Sequence, residues 1–316
     1  MFLRELWELK MVIVIHSQIL VYWLTPPTGR NTQLMKKRMI SSAPPLNWQE
    51  LDQALGRPGT AMPDDVRRYA FPRADLNVTL GGVSLKAGFA LGGYVAFKAV
   101  GNSSLAVGDL VLTEGEFNNV LHALQAGGIQ QTAVHNHLLG EKPHVMYMHI
   151  KARGDAVKIG HTLRAALSLT GTPPAAPAGP NSPLDLDTAQ MDTILGYQGK
   201  ANNGFYQYTI PRAEMIMEGG MVIPPAMGVV TVLNFQPTGA GNSAITGDFA
   251  LIGQEVPLVL KKLSQYNVNT TALHSHMLTD SPHIMYMHFW ANDNALKLAK
   301  GLRAALNQTN SKKTGR

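Results

Sequence analysis

From residue 47 onward the apolar positions alternate between short period-two runs and longer helical stripes, and the whole pattern occurs twice. In its first occurrence Trp48–Leu55 reads as an opening helix. A Gly-containing loop follows, then strands over 75–80, 88–100 and 105–112. Residues 114–125 set Phe117, Val120, Leu121 and Leu124 on one helical stripe. Next come a strand ending in His135-Asn136-His137, a loop closed by Pro143, and a strand over 145–150. A helix over 155–169 turns Ile159, Leu163, Ala166 and Leu167 inward. The second occurrence opens with a helix at Thr188–Leu195. The order β-α-β-β-α, with extra strands, predicts an α+β fold. Each unit is an α/β sandwich with helices on one face of a largely antiparallel sheet.

A shift of 139 residues superimposes the two occurrences. Tyr69-Ala-Phe-Pro72-Arg73-Ala74-Asp75 falls on Tyr208-Thr-Ile-Pro211-Arg212-Ala213-Glu214, and Gly108-Asp109 on Gly247-Asp248. Residues 133–149 and 272–288 are identical at ten of seventeen positions. The chain therefore divides into an N-terminal extension (1–46), a first copy (47–170), a linker rich in Pro, Ala and Gly (171–183), a second copy (184–309) and a basic tail (310–316). So long a period predicts duplicated units in a pseudo-twofold pair rather than a solenoid.

Composition removes several functions. There is no cysteine among the 316 residues, hence no disulfide, thiolate ligand, Cys nucleophile or lipidated N-terminal Cys. The net charge of +6 comes from the ends. Residues 1–46 hold six bases and two acids, and Lys312, Lys313 and Arg316 add three bases. Removing these from totals of 27 and 21 leaves 18 bases against 19 acids. A near-neutral body lacks the basic face that nucleic-acid binding needs, so no nucleic-acid partner is expected. The apolar stretch 11–24 is short for a bilayer and broken by His16, Ser17 and Gln18, so no integral membrane span is expected. It reads either as a signal peptide or as sequence ahead of a true start at Met35 or Met39. Cytoplasmic and exported locations both stay open.

The chemistry concentrates in histidine. Eight of the eleven lie in the matched blocks. On a strand, residues two apart share a face, which pairs His135 with His137 and His274 with His276. The returning strand sets Tyr147 and His149, or Tyr286 and His288, on one face, so that His149 and His288 complete three-imidazole groups. Glu141 and Asp280, four residues past the His-x-His pairs, would add a carboxylate as ligand or general base. Such a set suits Zn, Mn, Fe or Ni. A bare cluster of imidazoles would instead be costly to charge. His144 and His283, with Tyr147 and Tyr286, are expected behind the ligands or against substrate. Arg73 and Arg212 either tie strands together through carboxylates or clamp a substrate oxygen.

Several of these blocks resemble the LppY/LpqO family, bacterial domains of unknown function, over roughly residues 47–308. They are Phe71-Pro72-Arg73-x-Asp75-Leu76, Gly108-Asp109-Leu-Val-Leu, His135-Asn136-His137-Leu-Leu-x-Glu141-x-Pro143 and Tyr147-Met-His149. The resemblance implies the fold and the site, and no activity. His135, His137 and Glu141 also echo the cupin run His-x-His-x3-Glu. With no Gly-x-Ser-x-Gly and no Cys, water is the best candidate nucleophile. The leading expectation is a metal-dependent hydrolase of a small ester or lactone, such as an acyl-homoserine lactone. A non-catalytic metal-binding envelope protein, a cupin-like oxygenase or isomerase, and a metal-free structural protein are the alternatives. Copy one, with His-Asn-His and Glu141 intact, is the preferred active half.

Overall fold

The opening helix α1 (Trp48–Leu55) starts where the Asn47 side chain accepts from the backbone N–H groups of Gln49 and Glu50. The computed structural model describes residues 10–15, 18–23, 46–101, 103–175 and 183–313. Two units separate, 1–41 and Ser42–Arg316. Most of the N-terminal extension, including the candidate starts Met35 and Met39, lies outside the described residues. Within it β1 (Lys10–Ile15) and β2 (Gln18–Trp23) pair antiparallel. No helix of the described residues is long and apolar enough to cross a membrane.

Copy one continues through β3 (Thr60–Met62), β4 (Val66–Pro72), β5 (Thr79–Leu80), β6 (Val83–Ser84), α2 (Ala87–Ala90), β7 (Gly92–Val100) and β8 (Ser103–Thr113). It ends with α3 (Glu114–Ala126), β9 (Gln130–His135), β10 (Val145–Gly154) and α4 (Ala156–Leu167). Copy two repeats this with α5 (Thr188–Leu195), β11 (Lys200–Asn202), β12 (Phe205–Pro211), β13 (Ile216–Glu218), β14 (Met221–Ile223) and a 3-10 turn at Pro225–Met227. Then follow β15 (Val230–Gly239), β16 (Asn242–Leu251), α6 (Val256–Gln265), β17 (Asn269–Ser275), β18 (Asp280–Ser281), β19 (Met285–Asn294) and α7 (Ala295–Leu306).

Each copy is a six-stranded antiparallel sheet, ordered β3-β4-β7-β8-β10-β9 or β11-β12-β15-β16-β19-β17, with helices packed on it. The fold is the expected tandem α+β duplication. Both opening helices have the expected bounds. Strands β3 and β4, with few alternating apolar positions, were not expected. Only Thr79–Leu80 of the expected strand over 75–80 forms, and α2 replaces the start of the run at 88.

Leu51, Phe97, Leu112, Leu124, Met148, Ile150 and Leu163 build the core between sheet and helices in copy one. Leu195, Phe235, Phe249, Leu263, Met287 and Leu302 build its counterpart in copy two. Two further clusters join the copies on the helix-free faces. In one, Phe89, Leu91, Val111 and Tyr147 pack with Phe205 and Ala244. In the other, Val66, Ala96 and Val107 pack with Ile216, Ile223, Met227 and Tyr286. Each copy thus lends an arm to its neighbour's sheet. The arm β5-β6-α2 is pinned by Lys86 N–H donating to Gln236 Oε1 (2.9 Å), Gln236 Nε2–H to Ser84 O (2.8 Å) and Asn234 Nδ2–H to Phe89 O (2.9 Å). The arm β13-β14 of copy two carries Glu218, which is ion-paired with Lys151 of copy one.

Arg73 and Arg212 are architectural. Arg73 donates to both oxygens of Asp75, both of Glu116 and the Val111 carbonyl, at 2.7 to 2.9 Å. Arg212 does the same with Glu214, Glu255 and the Ala250 carbonyl. A guanidinium has five N–H donors, and all five are spent in each case, so neither arginine clamps a substrate. The expected basic tail is partly docked beside this pair. Asn310 N–H donates to Glu255 Oε1, and Lys312 N–H to Pro211 O.

Two outcomes follow. Phe89 is buried at 6.1 Å from Phe205 and 6.4 Å from Trp290. Phe89→Ala should cost about 3–5 kcal/mol in urea unfolding, and a loss below about 1 kcal/mol would mean the arm bears no load. Burial would raise the Glu116 carboxyl, but hydrogen bonds from Arg73 and from the Thr113 and Gly171 N–H groups hold it below the usual range. Its contribution is therefore complete above the ordinary carboxylate range and drains as pH falls through the lowered value. Glu116→Gln should cost about 3 kcal/mol at pH 7, with the gap to wild type closing below about pH 4. A gap unchanged in urea titrations down to pH 3 would contradict this.

Candidate metal centre

Strands β9 and β17 are the edge strands of their sheets, and they lie side by side. Thr271 Oγ1–H donates to the His137 carbonyl across the junction. The histidines of both copies therefore meet in one cluster. His135 stacks on His274 with ring centroids 3.4 Å apart, His137 on His288 at 3.8 Å, and His149 on His276 at 3.8 Å. Tyr147 and Tyr286 close the stack against His137 (3.4 Å) and His276 (3.3 Å). All six imidazoles expected as ligands converge, with both tyrosines behind them.

Register explains the convergence. Tyr147 stands opposite His135 and Tyr286 opposite His274, which sets these side chains on the helix-free faces. His149 stands opposite Asp109 and His288 opposite Asp248. Strand β9 stops at His135, so His137 reaches the cluster from the turn beyond, not by strand alternation. Asp109 and Asp248 are the donors that sequence reasoning missed. Their signal was the Gly-Asp pair matched between copies. The glycines let the neighbouring strand approach: a Cβ at Gly108 would lie 2.4 Å from the Tyr94 carbonyl oxygen, and at Gly247 1.9 Å from that of Val232.

The same backbone fixes the imidazole tautomers. His288 Nδ1 donates to the Gly247 carbonyl (3.1 Å). His135 and His274 use Nδ1 on the carbonyls of Asn136 (3.3 Å) and Ser275 (3.4 Å). Those anchors leave Nε2 as a bare lone pair, the arrangement seen in metal-ligating histidines. Burial, then the neighbouring imidazoles, pushes His135 down to about 3; burial pushes His274 down to about 4. His137, His149, His276 and His288 lie well below the ordinary value, through burial first and then neighbouring rings. The rings are neutral at pH 7. Burial raises Asp109 well above the usual carboxylate range, helped by the charge of Asp248, and pushes Asp248 up to about 7.

The donor set fits a metal. The Nε2 atoms of His135, His137, His149 and His276 and Oδ1 of Asp109 are buried without a protein partner. Each such atom costs about 1–3 kcal/mol unless a ligand meets it. His274 Nε2 and His288 Nε2 face each other at 2.8 Å, close enough to share one proton or to bind one ion together. Asp109 Oδ2 lies 3.7 Å from His137 Nε2, and Oδ1 3.8 Å from His149 Nε2. Two ligand atoms on one ion with bonds of about 2.1 Å stand at most about 4.2 Å apart. Donor atoms of His135, His137, His274 and His288, and of His149, His274 and His276, also form groups within 4.8 Å.

Glu141 and Asp280, expected as ligand or base, are not in these groups. Glu141 Oε1 is held by His144 Nδ1 (2.7 Å) and the Val145 N–H (3.4 Å), and Asp280 by His283 Nδ1 (2.7 Å) and the Ile284 N–H (2.8 Å). Both carboxylates are buried and brace the proline loops. His144 and His283 serve that bracing with rings partly open to solvent, not the imidazole cluster. A cavity of about 630 Å³ opens between the copies onto Asp109, His137, His149, Asp248, His276 and His288. Its walls include Met62, Phe89, Val230 and Arg68, whose guanidinium lies over the Tyr94 ring at 3.5 Å. Copy two has Gln207 and Val232 at the matching positions, so the cavity is asymmetric.

No curated protein matches the sequence. Among solved structures, a trimeric bacterial microcompartment shell protein, PduB, is similar at 13% identity over 78% of this chain and 88% of that one. The TM-score is 0.20, and the likeness carries no argument. The sequence model of a family described as Domain of Unknown Function (DUF1259) matches residues 49–169 and again 189–308. The chain belongs to this family and carries its domain twice in tandem.

Proposed function

We propose that the protein is a divalent-metal-dependent hydrolase of a small ester or lactone, with the converged imidazoles as ligands. The observation that carries this reading is the cavity of about 630 Å³ reaching the donor atoms. A purely structural metal site is closed by its own ligands, whereas a catalytic one keeps an approach. When bound, Zn, Mn, Fe or Ni would supply Lewis acidity and lower the pKa of a coordinated water from about 16 towards about 7. The chain's own groups do the rest. Asp109 and Asp248 offset the ion's charge. Met62, Phe89 and Val230 take the apolar part of the substrate. Arg68, held over Tyr94 with one bond to the Ala226 carbonyl (3.3 Å), orients the substrate's carbonyl or carboxylate oxygen. That role was one of the two readings open for Arg73 and Arg212.

A second reading has its own support. Two histidines and one carboxylate are also the ligand set of non-haem iron oxygenases, so iron-bound protein with oxygen-dependent turnover would move the assignment there. The finer likeness to LppY/LpqO proteins remains part of this proposal and adds no chemistry.

Protein loaded with Zn²⁺ or Mn²⁺ should hydrolyse p-nitrophenyl acetate or an N-acyl-homoserine lactone. A chelator should abolish that turnover, and His137→Ala/His276→Ala should lower it at least about 100-fold, the scale of a lost catalytic metal. Unchanged turnover in the folded double variant would sink the hydrolase reading. Arg68→Gln should raise KM about 10-fold, about 1.4 kcal/mol, with a smaller change in kcat. An unaltered KM would remove Arg68 from substrate binding.

A further inference from the structure

We infer that the centre holds two divalent ions, one in each copy's Asp-His-His triad, rather than a single ion on the pseudo-twofold axis. The inference rests on the metal reading above and adds its stoichiometry and its ligands. Six imidazoles and two carboxylates converge, and an ion of the zinc type takes four protein ligands in a closed site and three in an open one. One ion would leave at least half of the converged donors buried and unmet.

The unmet atoms mark the first site, and in the second His276 Nε2 is unmet while Asp248 Oδ1 accepts from the Val232 N–H (3.2 Å) and His288 Nε2 faces His274. Asp109 Oδ1, His137 Nε2 and His149 Nε2 are all buried without partners, and all three residues form one triad. The second triad, Asp248, His276 and His288, has the same composition and comes from the same positions in the duplicated sequence. In both, the histidine of the long strand stands directly opposite the aspartate, and that aspartate follows a glycine that the neighbouring strand overlies closely. Such duplicated anchoring predicts duplicated occupancy.

His135 and His274 lie on the axis between the triads. His274 groups with His149 and His276 on one side, and both rings group with His137 and His288 on the other. They form the shared inner wall of the two sites.

The metal-stripped full chain, titrated with Co²⁺ and followed by its visible absorption, should saturate at two equivalents. Asp109→Asn and Asp248→Asn should each saturate at one, and the double variant should show no tetrahedral cobalt band. Thermal unfolding by circular dichroism establishes that the near-isosteric variants are folded. Saturation of the wild-type chain at one equivalent would overturn the two-ion assignment and leave the metal reading standing. So would complete loss of binding in a folded Asp109→Asn chain. A chain that takes up no Co²⁺ would overturn the metal reading as well.

Discussion

The structure depends on closing two helix-free sheet faces against each other while imidazole lone pairs stand between them. Apolar contacts do most of the closing. Phe89, Phe205 and Tyr147 pack on one side of the imidazoles, and Val66, Met227 and Tyr286 on the other. Those contacts strip water from six imidazoles and two carboxylates, which makes each unmet donor costly. The same desolvation that keeps the rings neutral also sharpens their attraction for a cation. Stability and ligand affinity are therefore coupled at the junction: the better the faces close, the less the centre tolerates being empty.

Much of this was legible in the sequence, because duplication writes the same constraint twice. The matched His135-Asn136-His137 and His274-Ser275-His276, with His149 and His288, gave the imidazoles. The periodic stripes gave the helices and the antiparallel sheet. Other features had no local signature. Asp109 lies in an otherwise apolar strand and becomes a donor only through its register against His149. Arg68 falls on a strand the sequence did not announce, and it gains its place only when the copies close around it. Glu141 misled through spacing: four residues after His137 suggests a ligand, but its carboxylate turns back to His144 and Val145 within its own loop. The exchanged arms were invisible because they are contacts between residues 67 to 152 positions apart. Arg73 and Arg212 had two readings, and only a count of their donors decides for the structural one.

The copies agree at the donors and differ in the walls. Arg68 and Tyr94 line the cavity on one side, where copy two offers Gln207 and Val232. The question of which copy is active therefore dissolves. Both contribute donor atoms to one cluster, and under the proposed function the difference between them would give the cavity a polar side for a substrate.

The exchanged arms have a consequence for how such a centre forms. Residues 171–183 tether the halves, so each meets its partner at an effective concentration set by the tether and not by the amount of protein present. Assembly of the centre is thus unimolecular and survives dilution. The tether also breaks an obligation: two identical chains must alter both walls of a shared cavity together, whereas here a guanidinium can stand on one side facing an amide on the other.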